Sequence, residues 1–524
     1  QLADFARVNA SARYTTVGFG SIQERISERT REETVQYDIS ADFNLEKLIP
    51  GKHGIKIPMY VSTEKTIATP KFDPLDQDLP LESAILSFGS EAERQDYKRK
   101  VQDRTTRKAI NFSNVRKDKV NPESLSHIYD IENFSFNYAY SESLTSGINT
   151  AEFLEQNYRG GFAYNFNPSP TPIEPFKNVG FLSGKYLQLI KDFNFSLLPN
   201  NLSMRAEVDR RFTKRQLRNS DLTTDGIDPY FEKYFNFNRS YGLRWNLTKS
   251  LSIDYNAAAR AIVDEPQGDL DTQEKRDSVT YNLHHFGRMK NFNQNMGANY
   301  RLPLDKLPLT DWVSADLRFS VGYIWDGGAF DQIEEFGNII SNNRDRSANS
   351  KIDMVKLYNK IGFLKEINTP KRKSTTKRSQ PTVKQDTTKT SSGFGFFKGI
   401  LRAAMSLRSV NLTYSVRETT TLPGFKPRAY LFGLDSGLNA PGKAFIFGSQ
   451  DPDIRFRAAE NGWLVTNPFL TSFFMQMQSE DLGLKANIEP FSDLKIQIDM
   501  RRTNSGDFQE IFRYDSISSE YNSL

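Results

Sequence analysis

Alternation with a period of two residues runs through most of this chain. It continues over stretches too long for ordinary globular strands. Val313, Ala315, Leu317, Phe319, Val321, Tyr323 and Trp325 fall on one side of an extended backbone, and Ser314, Asp316, Arg318, Ser320 and Gly322 on the other. Phe134, Phe136, Tyr138 and Tyr140 alternate with Ser135, Asn137 and Ala139, and Tyr158 through Phe166 behaves alike. The same pattern marks Leu251 through Ala261, Val410 through Val416, Leu482 through Ile488 and Leu494 through Met500. Each such stretch reads as a strand with one apolar and one wet face. Globular strands average about 5–6 residues, whereas a strand tilted across a bilayer needs roughly 9–11. A soluble sandwich would repeat about every 8–12 residues with turns between. Here the elements are longer and irregularly spaced, and about 14–16 strands are expected.

Composition supports the same reading. Only 37% of the 524 residues are hydrophobic, yet 12% are aromatic, with 39 Phe and 22 Tyr. That is short of the about 45–50% apolar content of globular domains. Strands that face lipid on one side and water on the other need no large core. No run approaches the about 18 consecutive apolar residues of a membrane helix, which leaves membrane strands open. The absence of Cys excludes disulfide frameworks, thiolate catalysis and Cys-ligated zinc. A net charge of +5 gives no global nucleic-acid footprint. The chain starts at Gln1 with neither an initiator Met nor a signal peptide, and it ends on Asn-Ser-Leu without a terminal aromatic. Both ends are expected of a piece of a longer chain.

The connections suggest an architecture. Short ones are expected around Pro199–Asn201, Thr248–Ser250 and Ser492–Asp493, and slightly longer ones near Pro50–Gly54 and Pro303–Asp311. Long polar ones are expected near 20–34, 68–130, 168–190, 213–228, 264–281 and 329–408. Short and long connections mostly at opposite ends are the asymmetry of an outer-membrane barrel; a long connection at 422–466 breaks the parity. The expected organisation is barrel strands over 1–67, a long loop with a charged helix over 68–130, and strands over 131–328. A long loop with helices follows over 329–408, then strands over 409–524. Residues 89–110, acidic early and basic late, suit a helix dipole. Residues 351–366 show a helical apolar face, and 393–407 a short amphipathic helix. The stretch 370–392, basic and almost without apolar groups, is expected to be disordered. Gly18-Phe19-Gly20 reads as a hairpin.

Catalytic chemistry is sparse. The four His residues are His53, His127, His284 and His285, and the last two sit in a strand-like stretch. No HExxH, EF-hand, P-loop, GxGxxG helix opening or GxSxG elbow occurs. Asp73, Asp76, Asp78 and Glu82 form a carboxylate cluster and are the candidate calcium ligands, against the plainer reading of an Asp-Pro turn. The chain is expected to be no enzyme, with no catalytic residues and no cofactor. The basic loop at 370–389 lacks aromatic stacking partners, so no nucleic-acid partner is expected. The candidate lumen-facing residues are Asp254, Arg260, Asp316, Arg318, Lys495, Gln497 and Asp499. The candidate lipid-facing residues are Phe134, Phe136, Tyr138, Tyr140, Leu317, Phe319, Val321, Tyr323 and Trp325.

Several strings carry a resemblance when taken in order. They are Ile57-Pro58, ATPKFDPLDQD (68–78), NFSNVRK (111–117), YDIENFSFNYAYSE (129–142), KDFNFSLLPNNLS (191–203), DMVKLYNKI (353–361) and LPGFKP (422–427). Together they resemble the SprA/Sov family, the outer-membrane translocons of the type IX secretion system of Bacteroidota, tied also to gliding motility. The resemblance implies a much longer chain forming one enormous barrel. Its size of about 36 strands belongs to the family and is not read from this sequence. It further implies that folded cargo bearing a C-terminal signal domain crosses the outer membrane. The implied partners are outer-membrane lipid, the remainder of the same chain, a PorV-type small barrel and a periplasmic plug protein. Two other readings stay open at this point. One is a complete smaller barrel acting as a lipopolysaccharide inserter, porin or uptake receptor. The other is a secreted β-rich adhesin or polysaccharide-active enzyme.

Overall fold

The computed structural model describes residues 5–17, 31–51, 53–121, 123–368, 400–401, 403–430, 432–491 and 494–523. The expected hairpin at 18–20, the basic stretch 370–392 and the turn at 492–493 lie outside them, as does most of 393–407. The fold is all-β and antiparallel, with a few short helices. Its strands are β1 (Ala6–Val17), β2 (Glu32–Asn44), β3 (Ile55–Lys56), β4 (Pro58–Pro70), β5 (Asp103–Lys117), β6 (Phe134–Ser146), β7 (Thr150–Phe166) and β8 (Asn201–Leu217). They continue with β9 (Tyr230–Asn246), β10 (Leu251–Ile262), β11 (Arg288–Leu302), β12 (Val313–Asp326), β13 (Asn338–Asp353), β14 (Leu407–Phe425), β15 (Phe474–Phe491) and β16 (Leu494–Glu510). These make a 16-stranded sheet in simple sequence order, apart from the two-residue β3, which pairs with β5. A small hairpin, β17 (Phe512–Asp515) with β18 (Glu520–Ser523), stands apart from it. Most strands run 12–19 residues, the length expected of strands that cross and overshoot a bilayer. No helix among the described residues is long and apolar enough to cross a membrane.

The chain divides into two compact units. The first holds residues 1–168, 201–242 and 258–291, and the second 169–200, 243–257 and 292–524. In the first unit, β1, β2, β4, β5, β6, β7 and β8 pair in order. The connection between β4 and β5 packs Leu81 and Val101 against Leu222 of the β8–β9 connection in a small core, with Tyr97, Ile85 and Ile148 against it. Its helix Glu91–Val101 starts on a capping box, in which Ser90 accepts from the Glu93 N–H and Glu93 accepts from the Ser90 N–H. Such caps contribute about 1 kcal/mol.

In the second unit, β12, β13, β14, β15 and β16 pair in order. The connection of residues 426–473 between β14 and β15 packs back on the strand ends. It buries Tyr323, Trp325, Ile340, Leu422, Phe425 and Phe474. At the opposite strand ends lie the turn 247–250 and the segment 169–200. Ser196 N–H donates to the Leu247 carbonyl at 2.9 Å, and Lys249 N–H to Asn194 Oδ1 at 2.7 Å.

Several expectations need correction. Residues 103–110 are not helical; the helix ends at Val101, and β5 begins two residues later inside the expected 68–130 loop. β13 likewise occupies part of the expected 329–408 loop, and the helical stretch expected at 351–366 is split between Met354–Asn359 and Gly362–Asn368. No short turn stands alone at 199–201. Residues 167–200 form one long connection, which in the second unit packs at the end carrying the tight turn 247–250. The strict short-end, long-end asymmetry therefore fails there. His284 and His285 do not lie in a strand: they close the helix Gln273–His284, and each ring Nδ1 lies 2.8 Å from the carbonyl four residues back.

Candidate channel-lining surface

Pairing register converts the alternation into two faces. In the second unit, Leu317, Ala348, Tyr414 and Leu482 form one cross-strand row, which ends on Arg502 of β16. Val313, Ile352, Val410, Ala486 and Ile498 form a parallel row on the same side. On the opposite side, Asp316, Asn349, Thr413, Gly483 and Arg501 are neighbours, as are Arg318, Ser347, Ser415, Asp481 and Thr503. The first unit repeats the division. Phe43, Met59, Phe112 and Tyr138 line up on its apolar face, and Asp38, Glu64, Arg107 and Ser143 on its polar face.

Cross-strand ion pairs lace the polar face. Arg417 reaches Asp345 at 2.9 Å, and Arg501 reaches Asp481 at 3.0 Å, where the Thr503 hydroxyl also donates at 2.6 Å. Lys485 stands 3.7 Å from Asp499, which Gln497 also holds at 2.6 Å. In the first unit Arg107 pairs with Glu64 at 3.3 Å, Arg159 with Asp209 at 3.4 Å and Arg211 with Glu155 at 3.1 Å. Exposed pairs like these contribute only about 0–1 kcal/mol each. Their main effect is a hydrated surface of mixed sign.

The sequence-predicted lumen residues fall as follows. Asp316 and Arg318 lie on the polar face, and Gln497 and Asp499 lie there beside β15. Lys495 alternates with Leu494 and Ile496. Asp254 pairs with Arg244 at 3.5 Å. Arg260 is exposed between the buried Ala259 and Ala261. A cleft of about 540 Å³ opens in the second unit, with Asn200, Lys249, Arg301, Asp316, Arg318 and Asn349 among its lining.

Of the lipid-facing candidates, Phe134, Phe136, Tyr138 and Tyr140 share the apolar face with Tyr164, Phe162, Gly160 and Tyr158 opposite them. Leu317 and Phe319 stay exposed on the apolar face. Val321, Tyr323 and Trp325 do not meet lipid. They lie on the same face but are buried, Tyr323 and Trp325 completely, beneath residues 426–473. The Tyr323 hydroxyl donates to the Gly433 carbonyl at 3.2 Å, and Trp325 Nε1–H to the Pro427 carbonyl at 3.1 Å.

Beneath that segment runs a buried polar seam with no signal in the sequence. Asn342 Nδ2 donates to the Phe445 carbonyl at 2.7 Å and the Ser449 carbonyl at 2.9 Å, and its Oδ1 accepts from Gln450 at 2.9 Å. Thr420 donates to Gln450 Oε1 at 2.7 Å, and Asn338 Nδ2 to the Phe425 carbonyl at 2.9 Å. These amides satisfy loop backbone carbonyls that burial would otherwise leave unpaired.

The candidate calcium cluster does not assemble. Asp73 is buried and accepts the Tyr97 hydroxyl with both oxygens, at 2.8 and 2.7 Å, while Asp76 accepts from the Asp78 N–H at 3.3 Å. Among the described residues, no three acidic or imidazole side chains converge as a metal site. Burial first, and Asp73 second, raise the Tyr97 hydroxyl above its ordinary pKa. In the segment 169–200, hydrogen bonds from Lys177 and Lys249 push the Glu174 carboxyl down to about 2.

A long antiparallel sheet with one bare apolar face and one charge-laced face defines an all-β wall segment of the transmembrane β-barrel class. Residues 1–85 match the family model SprA_N, described as a motility related/secretion protein. Over those residues the chain is similar to that motility- and secretion-related family, in keeping with SprA-family membership. No curated protein matches it.

Proposed function

We propose that the chain is part of the wall of an outer-membrane protein-conducting channel, the translocon of the type IX secretion system. In this reading it exports folded cargo with a C-terminal signal domain and supports gliding motility. The observation that carries it is the pairing of a mostly polar, ion-paired face with a mostly apolar face on the same strands. The apolar face meets outer-membrane lipid, and the polar face borders water. The chain performs no catalysis. The remainder of the same chain, a PorV-type small barrel, a periplasmic plug and the cargo are its partners.

Paired cysteines test this in the whole protein in native outer membranes. Arg318→Cys should react with a membrane-impermeant thiol reagent, and Leu317→Cys only with a lipid-soluble one. A bulky adduct at Arg318→Cys should lower the amount of cargo reaching the medium. Equal labelling of both positions, or recovery of the protein in the soluble fraction, would overturn the reading.

A further inference from the structure

On β12 the exposure falls from 38% at Phe319 to 3% at Val321, two residues along the same face. That step is the rim of the 426–473 segment. Below it the face is bare and apolar; above it the face is covered and its middle rows are polar. At the rim the row itself changes character: Arg344 and Arg346 both hold Glu418, at 2.8 and 3.0 Å. Charged side chains at such a level are those that meet headgroups rather than acyl chains.

The rim is built from the backbone around Gly448. A Cβ there would stand 3.0 Å from a Val321 methyl and 3.3 Å from the Arg344 Cβ, so the chain lies directly on these residues. Phe447, the preceding residue, is 56% exposed. Gly433 makes the second close approach, against the Tyr323 and Phe292 rings. Its neighbour Phe432 has a φ of 53° and is exposed, and Leu438, with a φ of 57°, is exposed as well. Left-handed backbone is unfavourable at a bulky residue. Here the backbone bears that strain at two exposed apolar residues, and neither fills the core beneath.

We infer that the 426–473 segment is a ledge resting on the bilayer, with Phe432 and Phe447 seated in the boundary between headgroups and acyl chains. The inference rests on the lipid-facing reading of the apolar face and adds the level at which the membrane ends. Continuity selects the occupant: the ledge borders an apolar face that already meets lipid, and aromatic side chains concentrate at this boundary. Interfacial segments bury their apolar side about 5–10 Å into it.

The test uses the whole protein in phosphatidylcholine nanodiscs. These 524 residues include no Cys. Phe432→Cys, Phe447→Cys, Phe319→Cys and Ile517→Cys each carry an environment-sensitive nitrobenzoxadiazole label. Lipids bearing a doxyl quencher near the headgroup should quench positions 432 and 447 and blue-shift their emission. A quencher on the upper part of the acyl chain should act most on 319, and neither should act on 517, which is almost fully exposed. Quenching at 319 with 432 and 447 as wet as 517 would overturn the ledge while leaving the lipid-facing reading intact. No quenching at 319 either would remove both. Shielding of 432 and 447 only in detergent-extracted native complexes would assign the rim to a protein neighbour and overturn lipid contact.

Discussion

The side-chain amide of Asn342 lies 2.7 Å from the carbonyl oxygen of Phe445, which is 103 positions further along the chain. One buried amide in β13 thus fastens the helix-bearing part of the 426–473 segment to the sheet, with the Ser449 carbonyl and Gln450 as its other partners.

Asn342→Leu should loosen that segment while leaving the strands paired. It keeps the branched shape of the side chain but strands two buried carbonyls, at a cost of about 1–3 kcal/mol each. Hydrogen exchange should rise across 443–450 and stay low in β12 and β14. Unchanged protection at 443–450 would show that the seam is held by apolar packing alone.

Gly433→Ala should act on the same segment by a different route. The added methyl would run into the Tyr323 ring at a φ of +80°, so ring or loop must move. Limited proteolysis should cleave 426–440 faster than in the parent protein.

The two faces predict opposite tolerance to charge. Leu412→Lys places an ammonium in the bare apolar row, which costs about 2–4 kcal/mol near the bilayer midplane. Asn349→Lys places it on the polar face beside Thr413, where water remains. Recovery of folded protein from the outer membrane should drop for the first and hold for the second.

Acid should release the segment 169–200 from the turn at 247–250. The folded pKa of Glu174 is depressed, from an ordinary 4.5 to about 2. Its contribution is therefore fully present above the unfolded value and is lost as pH falls through about 2. Protease sensitivity of 169–200 should increase across that window, and Glu174→Gln should flatten the response. Lys177 at 2.7 Å, together with Lys249, supplies the attraction that is lost.

The period-two pattern was sufficient to read the fold class and most of the two faces, because each β12 residue's side follows from its parity alone. Parity names a side; it does not say what covers that side. Leu317 and Trp325 carry the same signal, yet one is exposed and the other sits beneath a loop more than a hundred positions downstream. β13 was illegible for the related reason. Its covered face carries Asn342 and Arg344, whose partners are loop carbonyls and Glu418, so no apolar alternation marks it. β5 was masked by Arg104 and Lys108, which continue the basic run of the preceding helix. The carboxylates at 73–82 looked like ligands because sequence spacing cannot reveal that Tyr97 takes both oxygens of Asp73.

The seam between the 426–473 segment and the sheet also sets a timetable. Its bonds from Tyr323, Trp325 and Asn342 join groups separated by 102 to 110 positions, and closing loops of that span delays contact formation. The segment leaves from β14 and returns into β15, so β15 arrives at the sheet on a tether whose slack depends on whether the segment has settled. The late step in building this part of the wall is therefore a docking event outside the ladder, and a chaperone that held residues 426–473 would govern when β15 and β16 join.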